Sequence, residues 1–383
     1  MRVYEQTGTT GCCNMRFRRQ CFGTAKTVSI SLVVGIVVWL VLANYWPTKE
    51  LDESPKFPNP PRGVKNKPSP VHVSAEIQEE VKPVEEPKTN SSLMDFTQAQ
   101  EAVQSKRKAI LRETCKRNGM TSQAGPPMFT KRHIYVVDKY RVMYCFVPKV
   151  GCSNWKRIMM VLDGEKDTVE GLTSNEVHTK AHLRFFNSYT PGQQEHRLKN
   201  YRKFFFVREP LKRALSVYRN KFEDLATYRG NMHFHTFGKQ IIKKFRNGPS
   251  QAELKTGENA TWTEFVDYLT HPTERKEVET DIHFSDHWRQ MNQICSPCSI
   301  DYDVIGNLET VNADAKYVLN MLKAPSNAQY LSSAGSRPTN SSDKGTFDKY
   351  FSKLNKKQLT QLWELYKLDY ELFGYSKPEI IPT

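Results

Sequence analysis

Three apolar runs, each followed by a helical pattern, constrain the fold of this chain more than any other feature. The runs are "YRVMYCFV" (140–147), "KFFFV" (203–207) and "YDVIG" (302–306), and the helical patterns cover 154–162, 210–222 and about 311–322. Apolar runs that alternate with helices are typical of strands buried on both faces of a parallel sheet. We therefore predict an α/β domain with a central parallel sheet, in which "HIYVVD" (133–138) forms a strand beside 140–147.

A further apolar stretch, residues 27–46, is predicted to cross a membrane as a signal-anchor helix. It reads "TVSISLVVGIVVWLVLANYW", carries no charge and is long enough to span a bilayer. Five basic residues precede it, whereas the charges that follow it nearly cancel. The positive-inside rule therefore places residues 1–26 in the cytosol as a short tail and the rest of the chain across the membrane. A cleaved signal peptide is the alternative, although the stretch is long and no typical cleavage site follows.

The region beyond this stretch divides into a stem and a domain. Residues 47–104 are rich in Pro, Glu, Lys and Ser and poor in aromatic residues, which predicts a flexible, disordered stem. A charged helix is predicted at 105–118, and residues 105–383 form the predicted lumenal domain. The domain closes with "KKQLTQLWELYKLDYELFGY" (356–375), whose apolar residues recur at helical spacing.

Charge and sequons favour a glycan partner over nucleic acid. The formal net charge is +15, which attracts a polyanionic carbohydrate or an anionic membrane as well as nucleic acid. N-glycosylation sequons at Asn90, Asn259 and Asn340 agree with a lumenal position, where nucleic acid is not a partner.

The lumenal cysteines predict structural disulfides. Their number is odd, so at least one is free or pairs between chains; they are Cys115, Cys145, Cys152, Cys295 and Cys298. The Cys295-Ser-Pro-Cys298 pair could also serve redox chemistry or half a zinc site. No second pair has metal-ligand spacing, so disulfides are favoured and no metal is expected.

The loop after the first run, "PKVGCSN" (148–154, the first loop), is suited to an anion. The first turn of a helix presents unpaired N–H groups and the positive end of its dipole. Gly151 permits close backbone approach, and Ser153 can cap the helix and donate to an oxygen. Lys149 precedes the glycine, and no Gly-Lys-[Ser/Thr] sequence is present to hold magnesium. We predict a bound nucleotide phosphate without metal-dependent hydrolysis; an ordinary strand-to-helix turn is the alternative.

The loop after the second run, "REPLKRALS" (208–216, the second loop), offers a second anion site. Arg208 follows a strand and presents a planar fork, Pro210 suits a first helical position, and Ser216 lies two turns into the helix. Two anion sites at the carboxyl ends of parallel strands predict one ligand with two separated phosphate-like groups.

These loops, "VPKVGCSNWKR" and "FVREPLKRALSVYRNKF", resemble the 5′-phosphosulfate and 3′-phosphate loops of Golgi carbohydrate sulfotransferases, most closely the HNK-1-type family. "HIYVVDKYRVMYC", "HWRQMNQICSPCSIDYDVIGNLET" and "YKLDYELFGY" also match. The resemblance runs from about residue 133 to the end, and the motif sequences are nearest those of the chondroitin/dermatan 4-O-sulfotransferase branch. It implies a P-loop-like, three-layer domain.

The resemblance also implies a reaction. The sulfuryl donor is 3′-phosphoadenosine 5′-phosphosulfate, and the acceptor is a hydroxyl, O-4 of GalNAc, in chondroitin or dermatan or another GalNAc-containing glycan at the Golgi membrane. Lys149 stabilises charge on the leaving 5′-phosphate. The implied donor-binding residues are Pro148, Lys149, Val150, Gly151, Cys152, Ser153, Asn154, Arg208, Glu209, Pro210, Leu211, Lys212, Arg213, Ala214, Leu215 and Ser216.

The catalytic base is predicted within "SNEVHTKAHLRFF" (174–186). His178 matches the family position better than His182, although both could simply line a polar surface. His287 is interpreted as structural or acceptor-contacting. A group of cations could guide a polyanionic acceptor: Lys156, Arg157, Lys212, Arg213, Arg219, Lys221, Lys243, Lys244 and Arg246.

Two other functions remain open from the sequence. Asp301-Tyr302-Asp303 is a D-x-D triplet that could hold manganese in a Golgi glycosyltransferase. The second is a non-catalytic type II membrane protein that binds glycans, although such a protein would not require two loops that bind nucleotide phosphates.

Overall fold

A five-stranded sheet in the order β3-β1-β2-β4-β5 organises the fold. The structure, a computed structural model, describes residues 90–120, 125–173, 176–180, 182–271, 285–331 and 339–382. The strands are β1 (Ile134–Val137), β2 (Val142–Cys145), β3 (Arg184–Phe185), β4 (Arg202–Val207) and β5 (Val304–Asn307). Strands β2, β4 and β5 run parallel, which confirms the predicted parallel sheet for the central part of the domain.

The other half of the sheet is antiparallel, and here the prediction of a parallel sheet was wrong. β1 pairs antiparallel with β2 and with the short edge strand β3, which was not predicted. Only the 3-10 turn Asp138–Tyr140 joins β1 to β2. A connection of that length can form a hairpin but not the crossover that a parallel pair requires.

Helices follow each parallel strand, as the apolar pattern predicts. Within the described residues they are α1 (Asn90–Arg117), α2 (Met128–Lys131), α3 (Cys152–Asp163), α4 (Pro191–Asn200), α5 (Pro210–Tyr218), α6 (Leu225–Arg229), α7 (Met232–Phe245), α8 (Gln251–Thr256), α9 (Trp262–Thr270), α10 (Met291–Cys295), α11 (Val311–Met321), α12 (Lys344–Phe351) and α13 (Lys356–Phe373). Helix α5 ends earlier than predicted, because the chain continues into a π-helical turn at Arg219–Glu223.

Helix α1 covers the outer edge of the sheet and begins earlier than the helix predicted at 105–118. The N–H group of Ile305 in β5 donates to Oε1 of Gln104, and Nη1 of Arg107 donates to the Ile305 carbonyl. Arg107 also pairs with buried Asp314 at 2.9 Å. These side chains satisfy the backbone groups of an edge strand. Helix α1 therefore begins at Asn90, within the range 47–104 that was predicted as the stem.

The buried apolar side chains form two clusters. The first surrounds the sheet, where β4 is buried along its length between β2 and β5. The second joins α5, α7, α9 and α13 around Trp288. The sheet packs in the first cluster and these helices pack in the second. The loops between the sheet and the helices are therefore attached to rigid elements at both ends.

The cysteines confirm the predicted structural disulfides. Cys115 pairs with Cys298 and Cys145 with Cys295, so the two half-cystines of the CSPC sequence reach different partners. Cys152 is the free thiol of the five. No helix in the described part of the chain is long and apolar enough to cross a bilayer, and the span predicted at 27–46 lies outside that part.

Candidate active site

The first loop makes a tight backbone turn between β2 and α3. Lys149 has φ of 71° and Gly151 has φ of 82°, so both lie in the left-handed region. At Gly151 an added Cβ would stand 2.2 Å from the hydroxyl of Tyr330. A side chain at position 151 would therefore collide with Tyr330. Lys149, a non-glycine residue at positive φ, carries local backbone strain of the kind found at functional sites.

The first turn of α3 is not capped as predicted. Gly151 is the N-cap residue and supplies no side-chain hydrogen bond. The prediction that Ser153 caps the helix was wrong, because Ser153 lies within the first turn and its Oγ is 2.9 Å from Nε2 of His178. The N–H groups at the start of the helix therefore keep no side-chain partner from the cap residue.

The second loop meets the first loop directly. Glu209 caps α5 by accepting from the Lys212 N–H, and Pro210 holds the first helical position as predicted. Arg208 is 6% exposed, and its Nη1 donates to the Lys149 carbonyl at 3.3 Å. Because β2 and β4 are parallel neighbours, the loops that follow them lie at the same edge of the sheet.

The side chain of Lys149 reaches across to the turn after α5. Its Nζ donates to Oδ1 of Asn220 at 3.0 Å, and Asn220 is buried. Asn220 lies in the "SVYRNKF" motif, but sequence reasoning gave it no role. This contact brings the predicted catalytic ammonium to the end of the helix that also carries Ser216.

Arg213 ties the second loop to its surroundings and is not directed at solvent. Its side chain is 1% exposed and donates to three backbone carbonyls: Pro148 at 2.9 Å, Arg289 at 2.7 Å and Asp286 at 2.9 Å. A planar guanidinium suits this task because its donors point in fixed, divergent directions. Arg213 thus joins the first loop, α5 and the segment 286–289.

Other residues of the two predicted loops serve the core. The side chains of Val150, Leu211, Ala214 and Leu215 are buried in the apolar clusters. They support the loop backbone and present no polar group. Among the polar side chains, that of Arg208 contacts the Lys149 carbonyl, that of Lys149 contacts Asn220 and that of Ser216 contacts Thr339.

His178 lies beside the first turn of α3, between Ser153 and Lys156. Its Nδ1 is 3.4 Å from Nζ of Lys156. An ammonium group has no lone pair, so Nδ1 accepts from it, and Nε2 carries the proton toward Ser153. Desolvation of the ring, followed by the charges of Lys156 and Lys221, lowers the pKa of His178 to about 4. In this arrangement the ring is neutral, and it must turn from Lys156 to accept a proton.

A carboxylate–imidazole pair stands nearby. Oδ1 of Asp286 is 2.9 Å from Nδ1 of His287, and Oδ2 is 3.4 Å from Nε2 of His133. Burial opposes ionisation of Asp286, but hydrogen bonds from these two rings outweigh it and hold the pKa of the carboxyl well below its usual range. Burial also lowers the pKa of His287. Sequence reasoning singled out His287 but missed Asp286, whose only signal was its position before the histidine.

The predicted cations do not form one guiding surface. Lys156 and Arg157 are buried with Arg213, and Lys156 lies 4.4 Å from the ring centroid of Phe146. For these three residues the prediction that they guide a polyanionic acceptor was wrong, because their side chains are buried and contact other groups of the protein.

The D-x-D triplet lies at the opposite edge of the sheet. Asp301 pairs with Arg112, and Asp303 pairs with Arg202 at 2.7 Å. Both carboxylates precede β5, whereas the two loops follow β2 and β4. Across the described residues, no group of three or more His, Cys, Asp or Glu side chains is arranged to hold a metal ion.

Comparison with known proteins gives one family. Residues 132–376 match the "Sulfotransferase family". The chain is 38% identical over 276 residues to carbohydrate sulfotransferase 11 of Rattus norvegicus, covering 70% of this chain and 75% of that protein. It is 37% identical over 284 residues to carbohydrate sulfotransferase 9 of Homo sapiens, covering 73% and 61%. It is 34% identical over 282 residues to carbohydrate sulfotransferase 14 of Homo sapiens, covering 72% and 69%. No solved structure matches the chain.

Proposed function

The chain belongs to the sulfotransferase family, and from that membership we propose that it transfers a sulfuryl group from 3′-phosphoadenosine 5′-phosphosulfate to a glycan hydroxyl. The observation that carries this proposal is the meeting of the two loops, where Arg208 donates to the Lys149 carbonyl at 3.3 Å. Two cationic loops at one edge of a parallel sheet suit a ligand with phosphate groups at both ends.

The residues at this edge fit such a sulfuryl donor. Nε of Arg208 is buried and has no hydrogen-bond partner among the described residues. At Gly151 the backbone lies where a Cβ could not be accommodated. The unpartnered guanidinium N–H is a feature expected of an anion site. The space beside Gly151 is filled by Tyr330, which fixes the turn of the first loop. We assign the 5′-phosphosulfate to the first loop and the 3′-phosphate to Arg208 and Ser216.

The proposed reaction is an in-line displacement at sulfur. The acceptor oxygen forms a bond to sulfur while the bond from sulfur to the 5′-phosphate oxygen breaks, and the acceptor proton passes to a base. Such a transfer depends on positioning and on cations near the developing charge. Lys149 stabilises the leaving phosphate, and its contact with Asn220 holds the ammonium near the loop until the sulfuryl donor binds.

His178 remains the predicted base. Its contact with Ser153 places it beside the first turn of α3, where the transferred group is proposed to lie. Its lowered pKa keeps the imidazole neutral, which a base requires.

We further propose that the acceptor is O-4 of GalNAc in chondroitin, dermatan or a related GalNAc-containing glycan, and that the reaction takes place in the Golgi lumen. The resemblance to the 4-O branch supports the acceptor. The charge pattern around residues 27–46 supports a type II anchor, with a stem ahead of a P-loop-like, three-layer domain. The side chains of Asn259 and Asn340 are exposed, as glycosylation in a lumenal domain would require.

A metal-dependent glycosyltransferase is the main alternative, and the position of its triplet disfavours it. Asp301 and Asp303 each pair with an arginine, at the edge of the sheet away from the two loops. We expect EDTA to leave transfer unchanged. Loss of activity on chelation, restored by manganese, would favour the alternative. A glycan-binding protein without catalysis is excluded if labelled sulfate is transferred at all.

The direct experiment incubates the protein with ³⁵S-labelled sulfuryl donor and three acceptors: desulfated chondroitin, desulfated dermatan and a GalNAc-capped glycan. Disaccharide analysis then reports the position of the label. We expect 4-O-sulfated GalNAc from at least one acceptor. Label on another position or another sugar would retain the reaction and refute the acceptor, whereas no transfer to any glycan would refute the function.

A further inference from the structure

We propose that residues 339–342 form a third segment that contacts the sulfuryl donor and recognises its 3′-phosphate through hydroxyl groups. The segment reads Thr-Asn-Ser-Ser, and sequence reasoning gave it only a glycosylation sequon. The inference rests on the proposed function and deepens it. It concerns the anion site around Arg208.

Arg208 is bound by this segment. Its Nη2 donates to Oγ of Ser341 and to Oγ of Ser342, both at 2.8 Å. Ser341 is 1% exposed and Arg208 6%, so the contact is removed from water. A hydroxyl that accepts from a guanidinium keeps its own proton, which it can donate to another oxygen.

No carboxylate makes a direct ion pair with Arg208 in the part of the chain that the structure describes. Burial disfavours its charge and lowers its pKa, and the more distant carboxylates of Glu309 and Glu209 partly offset this effect. A buried cation whose counter-charges are distant is stabilised further when an anion contacts it directly. Such an anion would also accept from the hydroxyl groups of Ser341 and Ser342.

A chain of hydroxyl groups extends from the same point to the second loop. Oγ1 of Thr339 is 3.0 Å from Oγ of Ser216 and 3.0 Å from Oγ of Ser341. Arg219 also donates to the Thr339 carbonyl and so fixes the segment to the end of α5. The hydroxyl groups of Ser341 and Ser342 therefore contact the buried guanidinium, and those of Thr339 and Ser216 continue the chain from Ser341. Together they form a donor set suited to a dianionic phosphate.

The backbone explains why the hydroxyl groups face inward. Asn340 has φ of 47°, in the left-handed region, and its side chain is exposed. This turn directs the asparagine outward while Ser341 remains buried. Asn340, Ser341 and Ser342 make up a sequon. Because the Asn340 side chain points outward, a glycan on it would lie on the side of the turn away from the anion site.

The sequon also supplies a matched control. Ser342→Ala and Asn340→Gln both remove the glycosylation signal, but only Ser342→Ala removes a hydroxyl from Arg208. Ser342 is exposed, so the substitution does not disturb the core. Ser341→Ala keeps the sequon and removes the buried hydroxyl, which gives an independent variant.

The test measures binding of adenosine 3′,5′-bisphosphate and of adenosine 5′-monophosphate to the full-length, detergent-solubilised protein by calorimetry. We expect Ser342→Ala and Ser341→Ala each to weaken bisphosphate binding about tenfold, as for one hydrogen bond to a charged group, and to leave monophosphate binding unchanged. Asn340→Gln is expected to match the unsubstituted protein with both nucleotides.

Three results would overturn the inference. In the first, Ser342→Ala behaves like Asn340→Gln. In the second, the serine variants weaken both nucleotides equally, which would mean that the loss does not concern the 3′-phosphate. In the third, the unsubstituted protein does not bind the bisphosphate, and this result would remove the proposed function itself together with the inference.

Discussion

Replacing Arg213 with lysine tests whether the second loop is held as the structure indicates. The guanidinium donates to the carbonyls of Pro148, Arg289 and Asp286 and is buried. A lysine ammonium keeps the charge but cannot reach three divergent carbonyls from one position. At least two buried carbonyls then lose a charged donor.

The expected cost follows from those contacts. A hydrogen bond from a charged group contributes about 1.5–3 kcal/mol, so two lost bonds lower the free energy of unfolding by about 3–6 kcal/mol. For a domain of this size, such a loss lowers the melting temperature by on the order of 10 °C. Lys212→Gln is the matched control, because its side chain is partly exposed and surface substitutions shift stability by about 0.5 kcal/mol or less.

Thermal unfolding of the purified variants, with and without adenosine 3′,5′-bisphosphate, measures the effect. We expect Arg213→Lys to melt well below Lys212→Gln and to recover part of the loss when the nucleotide is added. If Arg213→Lys has the same melting temperature as the unsubstituted protein but fails to bind nucleotide, then Arg213 contacts the ligand itself. The proposed role of Arg213 in holding the loops together would then be wrong.

Three further predictions concern the chemistry and the scaffold. Lys149→Ala should abolish sulfuryl transfer while the protein still folds, because no other group is proposed to stabilise the leaving phosphate; a folded variant with near-normal activity would refute that role. If His178 is the base, its pKa of about 4 keeps it neutral above that pH, so kcat/KM should fall only as the pH drops toward 4, and His178→Ala should lose this limb; a limb that persists in the variant removes the residue from the mechanism. The double substitution of Cys145 and Cys295 by serine should lower the free energy of unfolding by about 2–5 kcal/mol, since the bridge closes a sequence separation of 150 residues; unchanged chemical denaturation would contradict this.

The sequence predicted the parallel strands and their loops because these elements carry strong local signals. The Phe-rich run of β4 reads as a strand buried on both faces, and Pro210 marks the start of the helix after it. The convergence of Lys149 and Arg208 then follows from the parallel pairing of β2 and β4. Local pattern and topology rules were sufficient there.

Contacts between distant parts of the chain were out of reach of the sequence. The role of Gln104 depends on an edge strand 201 residues away, so composition alone assigned it to the stem. Arg208 and Ser341 are separated by 133 residues, and a Thr-Asn-Ser-Ser sequence resembles any polar loop. The hairpin of β1 and β2 was misread as part of a parallel sheet because apolar runs do not encode strand direction.

The position of bound adenosine 3′,5′-bisphosphate in a structure of the complex tests the central claim most directly. We expect the 3′-phosphate within hydrogen-bonding distance of Arg208 and Ser216, and the 5′-phosphate over the first turn of α3 beside Lys149. A nucleotide bound elsewhere, or bound with its two phosphates exchanged, would contradict the account.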